Sequence, residues 1–229
     1  MSDIQHEKEY VNYHKHSHYS NIRTIDCITK MEDYCDRMKE LGHTVISTVE
    51  HGYQGNVHGT NTLAKQNNFK MIVGVEAYYV PDRYVKDRRN FHIILVAKNT
   101  NGYKDINRIM SEANRTGFYY KPRIDYNLLS SVNPKNIIVT TACTGGIARE
   151  DFEGAEELIL KLKSLFKDNF FLEVQSHNHI SQIQHNLKMV YYSKVYGIKL
   201  IHANDSHYIY KEDSKYRDLF LRAKGIKYE

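Results

Sequence analysis

The sequence predicts an α/β fold, in which buried strands alternate with helices in a parallel sheet or a barrel. Two observations carry this prediction. Seven short apolar runs have the length and the β-branched or aromatic content of buried strands, and stretches with helical spacing separate several of them. A chain of 229 residues suffices for one barrel with a substantial core, so we expect a single domain over residues 1–229.

The strands and helices can be placed in order along the chain. The predicted strands are VNYH (11–14), VIST (45–48), MIVGVEAYYV (71–80), FHIILVA (91–97), NIIVTT (136–141), FFLEVQ (170–175) and KLIHA (199–203). Helical spacing occurs at 26–41, 59–67, 103–114, 154–167 and 181–196, and the closing run DSKYRDLFLRAKGIKYE also predicts a helix. Gly42 and Gly197 follow two of these helices and suit a left-handed C-terminal turn.

Composition indicates a soluble globular protein. Apolar residues make up 41% and charged residues 26%, no run of about 18 apolar residues occurs, and the N-terminus lacks the apolar core of a signal peptide. We therefore expect a cytoplasmic protein without a membrane partner. Three cysteines form no CxxC pair, which favours reduced thiols, and the net charge of +5 is spread along the chain and favours polyanionic partners only weakly.

Potential metal ligands follow six of the seven predicted strands. In a parallel α/β arrangement the carboxyl ends of the strands meet at one face, where the βα loops gather. The residues at these ends are His14, His16, Glu50, His51, Glu76, Cys143, Glu173, His177, Asp205 and His207. A lone histidine at a strand end is more often a loop or core residue. The convergence of so many ligand types on one face instead predicts a metal site.

The fourth strand departs from this pattern, because His92 stands at its start. If the loop YVPDRYVKDRRN returns the chain at the same mouth, this strand runs antiparallel to the third, and His92 faces the same site as Glu76. Imidazole, carboxylate and one thiolate suit zinc, manganese or iron better than magnesium or calcium. About eight candidates exceed the needs of one tetrahedral ion, so we expect two or three divalent ions.

Several motifs in a fixed order resemble a known family. They are HKHSHYS, ELGHTVISTVEHG, IVGVEAYYVP, FHIILVAKNTNGY, GFYYKPRID, TTACTGGIA, FFLEVQSH and ANDSHYI, and together they cover nearly the whole chain. They resemble the PHP (polymerase and histidinol phosphatase) domain family, and most closely the branch at the amino terminus of the bacterial replicative DNA polymerase III alpha subunit. The chain is then either a single PHP domain, the leading part of such a protein, or a split piece of one.

The resemblance implies a distorted (β/α)7 barrel, similar to a TIM barrel, with a di- or trinuclear metal centre at the carboxyl mouth. The family's ligand positions fall on His14, His16, His51, Glu76, His92, Cys143, Asp205 and His207. The attacking hydroxide would be held by ions bound to His14, His16, Glu76 and Asp205. We expect Glu50, Glu173 and His177 to support the ligands, with Glu50 orienting His51.

Two departures from the family pattern stand out. An acidic ligand is expected shortly after the HxH pair, but the stretch here is NIRTID, with Asn21 and Arg23 close by and Asp26 as the next carboxylate. The second motif has Glu50 where the family has aspartate. His18 matches no ligand position, and we expect it at the rim of the site.

The resemblance also implies a function. The leading hypothesis is a metal-dependent 3′–5′ exonuclease that acts on single-stranded DNA ends beside a replicative polymerase, with Lys121 and Arg123 for phosphate and Tyr120 as a platform for a base. A small-molecule phosphatase of the same fold would share the metal centre. A non-catalytic structural or docking module of a polymerase is the third reading.

Overall fold

The computed structural model describes residues 10–22 and 26–223, and its framework is one curled sheet covered by helices. The strands are β1 (Val45–His51), β2 (Lys70–Tyr79), β3 (Phe91–Ala97), β4 (Arg123–Ile124), β5 (Ile137–Thr140), β6 (Phe170–Gln175) and β7 (Lys199–Ala203). The helices are α1 (Met31–Glu40), α2 (Val57–Gln66), α3 (Thr100–Thr116), α4 (Tyr126–Ser130), α5 (Ala155–Phe166), α6 (Ile180–Tyr196) and α7 (Ser214–Ala223). The predicted α/β class is confirmed.

The sheet has the order β1-β2-β3-β5-β6-β7, and the short strand β4 pairs with β2. β3 runs antiparallel to both of its neighbours, whereas the other pairs are parallel. The predicted reversal is therefore confirmed: Tyr78 of β2 lies opposite His92 of β3. The loop between these strands returns the chain at the same mouth, which brings the start of β3 beside the end of β2.

The first predicted strand, VNYH, is wrong as a strand. Within the described residues, the chain forms here one parallel bridge instead of a ladder, and this bridge joins Lys15, directly after the run, to Ser206. Side-chain bonds take the place of the ladder: the Asn12 amide donates to Ser206 Oγ at 3.0 Å, and Ser47 Oγ donates to the Asn12 carbonyl at 2.9 Å. The segment thus lies between the two edge strands, β1 and β7, and links them.

Each helix that the sequence predicts is present, with its ends shifted by up to five residues, as at α1, which begins at Met31 instead of Asp26. The Asn99 side chain accepts from Gly102 N and caps α3, and Asp125 accepts from Leu128 N and caps α4, a short helix that the sequence pattern missed. Gly42 and Gly197 both adopt positive φ angles, as predicted. No helix in the described parts of the chain is long and apolar enough to span a bilayer.

Buried apolar residues lie on both faces of the sheet. The larger cluster packs α3, α4, α5 and α6 against the outer face, with Ile93, Leu95, Ile109 and Ile159 fully buried. A smaller cluster fills the inside of the curl and includes Tyr13 and Ile94. Because alternate residues of β3 face opposite sides, one strand serves both clusters. This double-sided packing fixes the strand ends that carry the site.

Candidate metal centre

The eight residues predicted as ligands converge at one mouth of the curled sheet. They come from the segment before the first turn, from the ends of β1 and β2, from the start of β3, and from the loops after β5 and β7. Glu76 is at the centre of the group and is fully buried. Its Oε1 lies 2.8 Å from His92 Nδ1 and 3.5 Å from His14 Nε2. Its Oε2 lies 2.5 Å from His51 Nδ1 and 3.3 Å from His16 Nε2.

Asp205 closes the group from the loop after β7. Its Oδ1 lies 3.2 Å from His14 Nε2, 3.1 Å from His16 Nε2 and 3.6 Å from His207 Nδ1. Asp205 has a φ of 49°, a left-handed conformation that costs an ordinary residue about 1–2 kcal/mol. The surrounding loop therefore holds this carboxylate in a strained position that faces the histidines.

The donor atoms fit bound metal ions. Within this group, five buried atoms have no hydrogen-bond partner among the described residues: His14 Nε2, His16 Nε2, His51 Nδ1, Glu76 Oε2 and Asp205 Oδ1. Unsatisfied buried polar atoms are costly, so their meeting at one place calls for a missing partner. Donor atoms about 2.0–2.1 Å from a tetrahedral ion are about 3.3 Å apart, which matches most of these separations.

Three overlapping triads of donor atoms can each hold an ion. The triads are His14–His16–Asp205, His16–His51–His207 and His51–Glu76–His92, each with all three atoms within 4.8 Å of one another. His16 and His51 are shared, and their rings stack with centroids 3.9 Å apart. The triads therefore mark candidate positions for metal ions at this mouth, and His16 and His51 each belong to two of them.

Cys143 lies at the edge of the third triad and is not a member of any of the three. Its Sγ is 3.6 Å from His92 Nδ1 and 3.9 Å from Glu76 Oε1. Burial, with the nearby charges of Asp205 and Glu76, raises the pKa of this thiol well above its ordinary value. A metal ion is the kind of partner that would reverse this shift and leave a thiolate ligand.

Asp26 supplies the carboxylate that the stretch after the HxH pair lacks at Asn21. Its Oδ2 lies 3.2 Å from His51 Nε2 and 3.3 Å from His207 Nε2. Asn21 accepts backbone hydrogen bonds from Asp26 N at 2.7 Å and Cys27 N at 2.9 Å, so it fixes the loop that presents Asp26. Arg23, noted in the same stretch, lies outside the described residues.

The charges of the group favour ionised carboxylates. Burial raises the pKa of Asp26, but hydrogen bonds from His207 and His51 outweigh it and hold this pKa well below its ordinary value. Burial and the nearby charge of His51 lower the pKa of His16 to about 3, which keeps this imidazole neutral. Burial lowers the pKa of His51, but Glu76 and Asp26 raise it to about 9, so an ion would displace a proton there.

Glu173 supports the centre without facing it. Its Oε1 is 2.8 Å from His14 Nδ1, which turns His14 Nε2 towards the other donors. Thr140 Oγ1 donates to the same carboxylate at 3.1 Å and the Gln175 amide at 2.7 Å, and Tyr13 also donates to it. The carboxylate is therefore fixed from several sides.

Glu50 has a different role from the predicted one. Residues 50 and 51 follow one another in a strand and so point to opposite faces, which keeps Glu50 away from the His51 ring. Instead, Ser17 N donates to Glu50 Oε2 at 2.9 Å, and Ser20 Oγ, which bonds His16 Nδ1 at 3.1 Å, also donates to Glu50. Glu50 thus supports His16 through Ser20.

His177 and His18 lie outside the group of ligands. His177 is exposed, and its Nε2 bonds the Asn204 carbonyl at 2.9 Å. It makes no hydrogen bond to a ligand side chain among the residues that the structure describes, so its support of the centre stays a prediction. It lines a polar cavity of about 630 Å³ that adjoins Asp205 and His207. His18 is exposed on the turn at His18–Ile22, which agrees with its predicted place at the rim.

The three residues predicted to bind substrate, Lys121, Tyr120 and Arg123, lie in different surroundings. Lys121 lines a cavity of about 200 Å³ over the ligands, together with Asp26, His51 and His92. Tyr120 is exposed, does not line that cavity, and packs against the Arg88 guanidinium at 4.2 Å.

Arg123 was wrongly predicted to bind phosphate. It is 2% exposed, and its guanidinium donates to the carbonyls of Gly117 (2.8 Å), Val85 (2.7 Å), Asp87 (3.0 Å) and Arg83 (2.7 Å). It lines another cavity, of about 590 Å³, on the helix side of the sheet. Its side chain therefore holds the loop after β2 in place.

Two residues that contact the centre, Cys27 and Arg217, were not predicted from the sequence. The buried Cys27 thiol donates to the carbonyls of His16 at 3.0 Å and His207 at 2.9 Å, and so ties together the two segments that carry ligands. Arg217 of α7 contacts Asp26 at 3.1 Å and lines the cavity over the ligands. Spacing along the chain could not indicate either contact, because the partners are up to 191 residues apart.

Comparison with known proteins agrees with this geometry. A family model described as PHP domain matches residues 12–177, and Asp205 and His207 lie beyond that match. The DNA polymerase III subunit alpha of Borreliella burgdorferi is 34% identical over 226 aligned positions, which cover 93% of this chain and 19% of that protein. The same subunit of Aquifex aeolicus is 32% identical over 236 aligned positions, which cover 96% of this chain and 20% of that protein. The chain thus spans about a fifth of the length of these relatives.

Solved structures show the same fold. A protein from Bifidobacterium adolescentis described as a metal-dependent phosphoesterase aligns with a TM-score of 0.54 and 10% identity, covering 86% of this chain and 87% of that one. An amidohydrolase from Chromobacterium violaceum aligns with a TM-score of 0.52 and 13% identity, with the same coverage. At such identities the likeness concerns the fold alone. With the family match, the conclusion is that the chain belongs to the PHP domain family.

Proposed function

We propose that the chain is a metal-dependent phosphodiesterase that removes nucleotides from the 3′ ends of single-stranded DNA. One observation carries the proposal: three overlapping triads of ligand atoms lie beneath an open cavity that a lysine lines. Zinc, manganese or iron suits the donors, which are imidazole and carboxylate with a thiol beside them. When bound, such ions supply Lewis acidity that activates water and stabilises phosphate oxygens.

The chain's own residues have three tasks in this proposal. His14, His16, Glu76 and Asp205 hold the ions nearest the buried wall, and Glu173 keeps His14 in the orientation that does so. Asp26 and His207 hold the outer position. The ionised carboxylates also lower the positive charge of the bound ions, so the site can release a phosphate product.

Lys121 is the residue we assign to substrate phosphate. Its Nζ lies 4.0 Å from the centre of the Tyr78 ring, and that ring stacks near the His51 ring at 6.3 Å between centroids. A cation–aromatic contact of this kind holds the ammonium group beside the ligands. Phosphate contacts from lysine make DNA binding weaker as salt rises. Tyr120 remains the proposed platform for a terminal base.

The relatives suggest where such an activity would operate. They are named as DNA polymerase III subunit alpha, and this chain matches about a fifth of their length. We propose that residues 1–229 form one PHP domain that works beside a replicative polymerase, either as the leading part of one or as a separate piece.

The test compares two substrates and matched variants. The purified chain is loaded in turn with zinc, manganese and iron, and is incubated with end-labelled single-stranded DNA and with p-nitrophenyl phosphate. We expect shortening from the 3′ end that His14→Ala and Asp205→Ala abolish. His18→Ala is the matched control, because His18 lies in the same segment but is exposed, and it should retain activity.

The other outcomes are equally informative. Hydrolysis of the small ester alone would support a phosphatase and contradict the exonuclease. Absence of hydrolysis with all three metals would support the non-catalytic docking module.

A further inference from the structure

Arg217 reaches over the mouth of the metal centre from α7. Its Nη2 lies 3.1 Å from Asp26 Oδ1, and its Nε lies 3.4 Å from the Asp26 carbonyl oxygen. Its side chain is 26% exposed. Arg217 lines both the cavity of about 200 Å³ over the ligands and the polar cavity of about 630 Å³ beside it. It therefore stands at the junction of the two spaces through which a substrate would reach the centre.

The Asp26 carboxylate lies between Arg217 and two of the histidines, His51 and His207. While Oδ1 accepts from Arg217, Oδ2 faces Nε2 of His51 and of His207 at 3.2 and 3.3 Å. A group that contacts the ions held there would also come within reach of the guanidinium. The two contacts to Asp26 restrict the long arginine side chain in advance, so less conformational entropy is lost when a further ligand binds.

The guanidinium keeps a donor available. Nε and Nη2 bond Asp26, whereas Nη1 has no hydrogen-bond partner among the residues that the structure describes. Lys121 lines the same 200 Å³ cavity from the segment before β4, so two cations from distant parts of the chain border one space. A planar guanidinium binds phosphate through paired N–H donors, as it also binds carboxylate.

We propose that Arg217 is a phosphate-binding residue of this centre, which uses its outer N–H groups to hold a non-bridging oxygen of the substrate phosphate opposite Lys121. This inference rests on the proposed function for the identity of the substrate, but the binding itself requires no turnover. It differs from a structural role, in which Arg217 only positions Asp26 for an ion.

The test measures phosphate binding in the metal-loaded chain. Isothermal titration calorimetry with inorganic phosphate is run on the wild type, Arg217→Gln and Arg217→Lys, and metal content is measured in parallel by inductively coupled plasma mass spectrometry. We expect unchanged metal content in both variants. Phosphate affinity should fall about tenfold or more in Arg217→Gln. It should fall less in Arg217→Lys, which keeps the positive charge but loses the planar pair of N–H donors.

Arg222→Gln is the matched control, because Arg222 is an exposed arginine on the same helix. It should leave phosphate affinity unchanged. Equal phosphate affinity in the wild type and Arg217→Gln would overturn the proposal. So would a loss of bound metal in Arg217→Gln, because it would show that Arg217 acts through Asp26.

The inference and the proposed function can fail separately. If Arg217 governs phosphate affinity but no ester is hydrolysed, the binding role stands and the enzymatic role does not. If DNA is shortened by Arg217→Gln with an unchanged KM and phosphate affinity, the enzymatic role stands and this inference is wrong.

Discussion

Oδ2 of Asp26 lies 3.2 Å from Nε2 of His51, although the two residues are 25 positions apart in the chain. The same oxygen lies 3.3 Å from His207, so Asp26 faces the triad His16–His51–His207 and gives it a fourth donor. Asn21, which takes the place of the expected carboxylate, holds the Asp26 loop through its side-chain oxygen.

Asp26→Asn is therefore expected to lower the number of bound ions by about one per chain, because an amide is a weaker ligand than a carboxylate. Metal content after dialysis against buffered zinc or manganese measures the effect. Asp36→Asn is the control, since Asp36 is an exposed acid on α1 that pairs with Lys39. Equal metal content in wild type and Asp26→Asn would show that Asp26 is not a ligand.

Glu173→Gln is expected to weaken metal binding about 10- to 100-fold without removing a ligand, because the carboxylate orients His14 and increases its basicity. Titration with zinc against a competing chelator gives the affinity. The exposed residue Glu212 supplies a control, Glu212→Gln, that should bind zinc like the wild type. An unchanged affinity in Glu173→Gln would argue against this support.

Arg123→Gln is expected to reduce the free energy of unfolding by about 3 kcal/mol, because it leaves buried carbonyls without their charged donor. Phosphate binding by the fraction that folds should match the wild type. Urea denaturation and phosphate titration measure the two quantities. Arg89→Gln, at an exposed arginine, should change stability by less than about 0.5 kcal/mol. A normal stability with weakened phosphate binding would restore the original prediction for Arg123.

The buried ammonium group of Lys15 should make the stability of the fold depend on pH. Its Nζ is buried and donates to the Ser47 carbonyl and, at 3.1 Å, to Ser47 Oγ, and burial lowers its pKa from 10.5 to about 8. Between pH about 8 and 10.5, the unfolded chain keeps a proton on Lys15 that the folded chain has lost, so this residue makes the free energy of unfolding rise with pH. Over the whole of this pH range, the rise amounts to about 3 kcal/mol.

The measurement compares the wild type with Lys15→Met in urea between pH 7 and 10, with a chelator present. The difference in unfolding free energy, wild type minus variant, should increase across this range. Subtracting the variant from the wild type removes the contribution of His51, which is present in both. That contribution has the opposite sign, because the raised pKa of His51 makes stability fall between pH 6.5 and pH about 9. A difference that does not vary with pH would contradict the assigned shift.

Leu187 and Met189 of α6 offer a matched pair for stability. Met189 is fully buried against the sheet. Leu187 is 65% exposed and belongs to the outward face of the helix, together with Ile180, Ile183, Tyr191 and Val195. Met189→Gln should cost about 3 kcal/mol, because it buries an amide in an apolar core. Leu187→Gln should change stability by less than about 0.5 kcal/mol. Thermal melts of both variants check this, and equal losses would mean that the outer face of α6 is covered.

Part of the site could be predicted from residue types and strand ends. The positions of His51, Glu76, Asp205 and His207 follow from the strands that carry them, because the carboxyl ends of parallel strands meet at one edge. His14 and His16 reach the same edge although their segment is not a strand, because it is tied to Ser47 and Ser206 by hydrogen bonds. His92 required one more step, the reversal of β3, and the register of β2 with β3 confirms it. The helix ends at Gly42 and Gly197 followed from the local preference for positive φ.

The sequence by itself therefore determined the α/β class, the family and the residue types that meet at the mouth, because these depend on local periodicity and on the order of the motifs. Tertiary structure alone decided which partner each polar side chain takes. It turned Glu50 towards Ser17 and Ser20, buried Arg123 among carbonyls, brought Asp26 to His51, and set Arg217 above Asp26. Hydrogen-bond partners far apart in the chain are chosen by packing, which the spacing of residues does not encode.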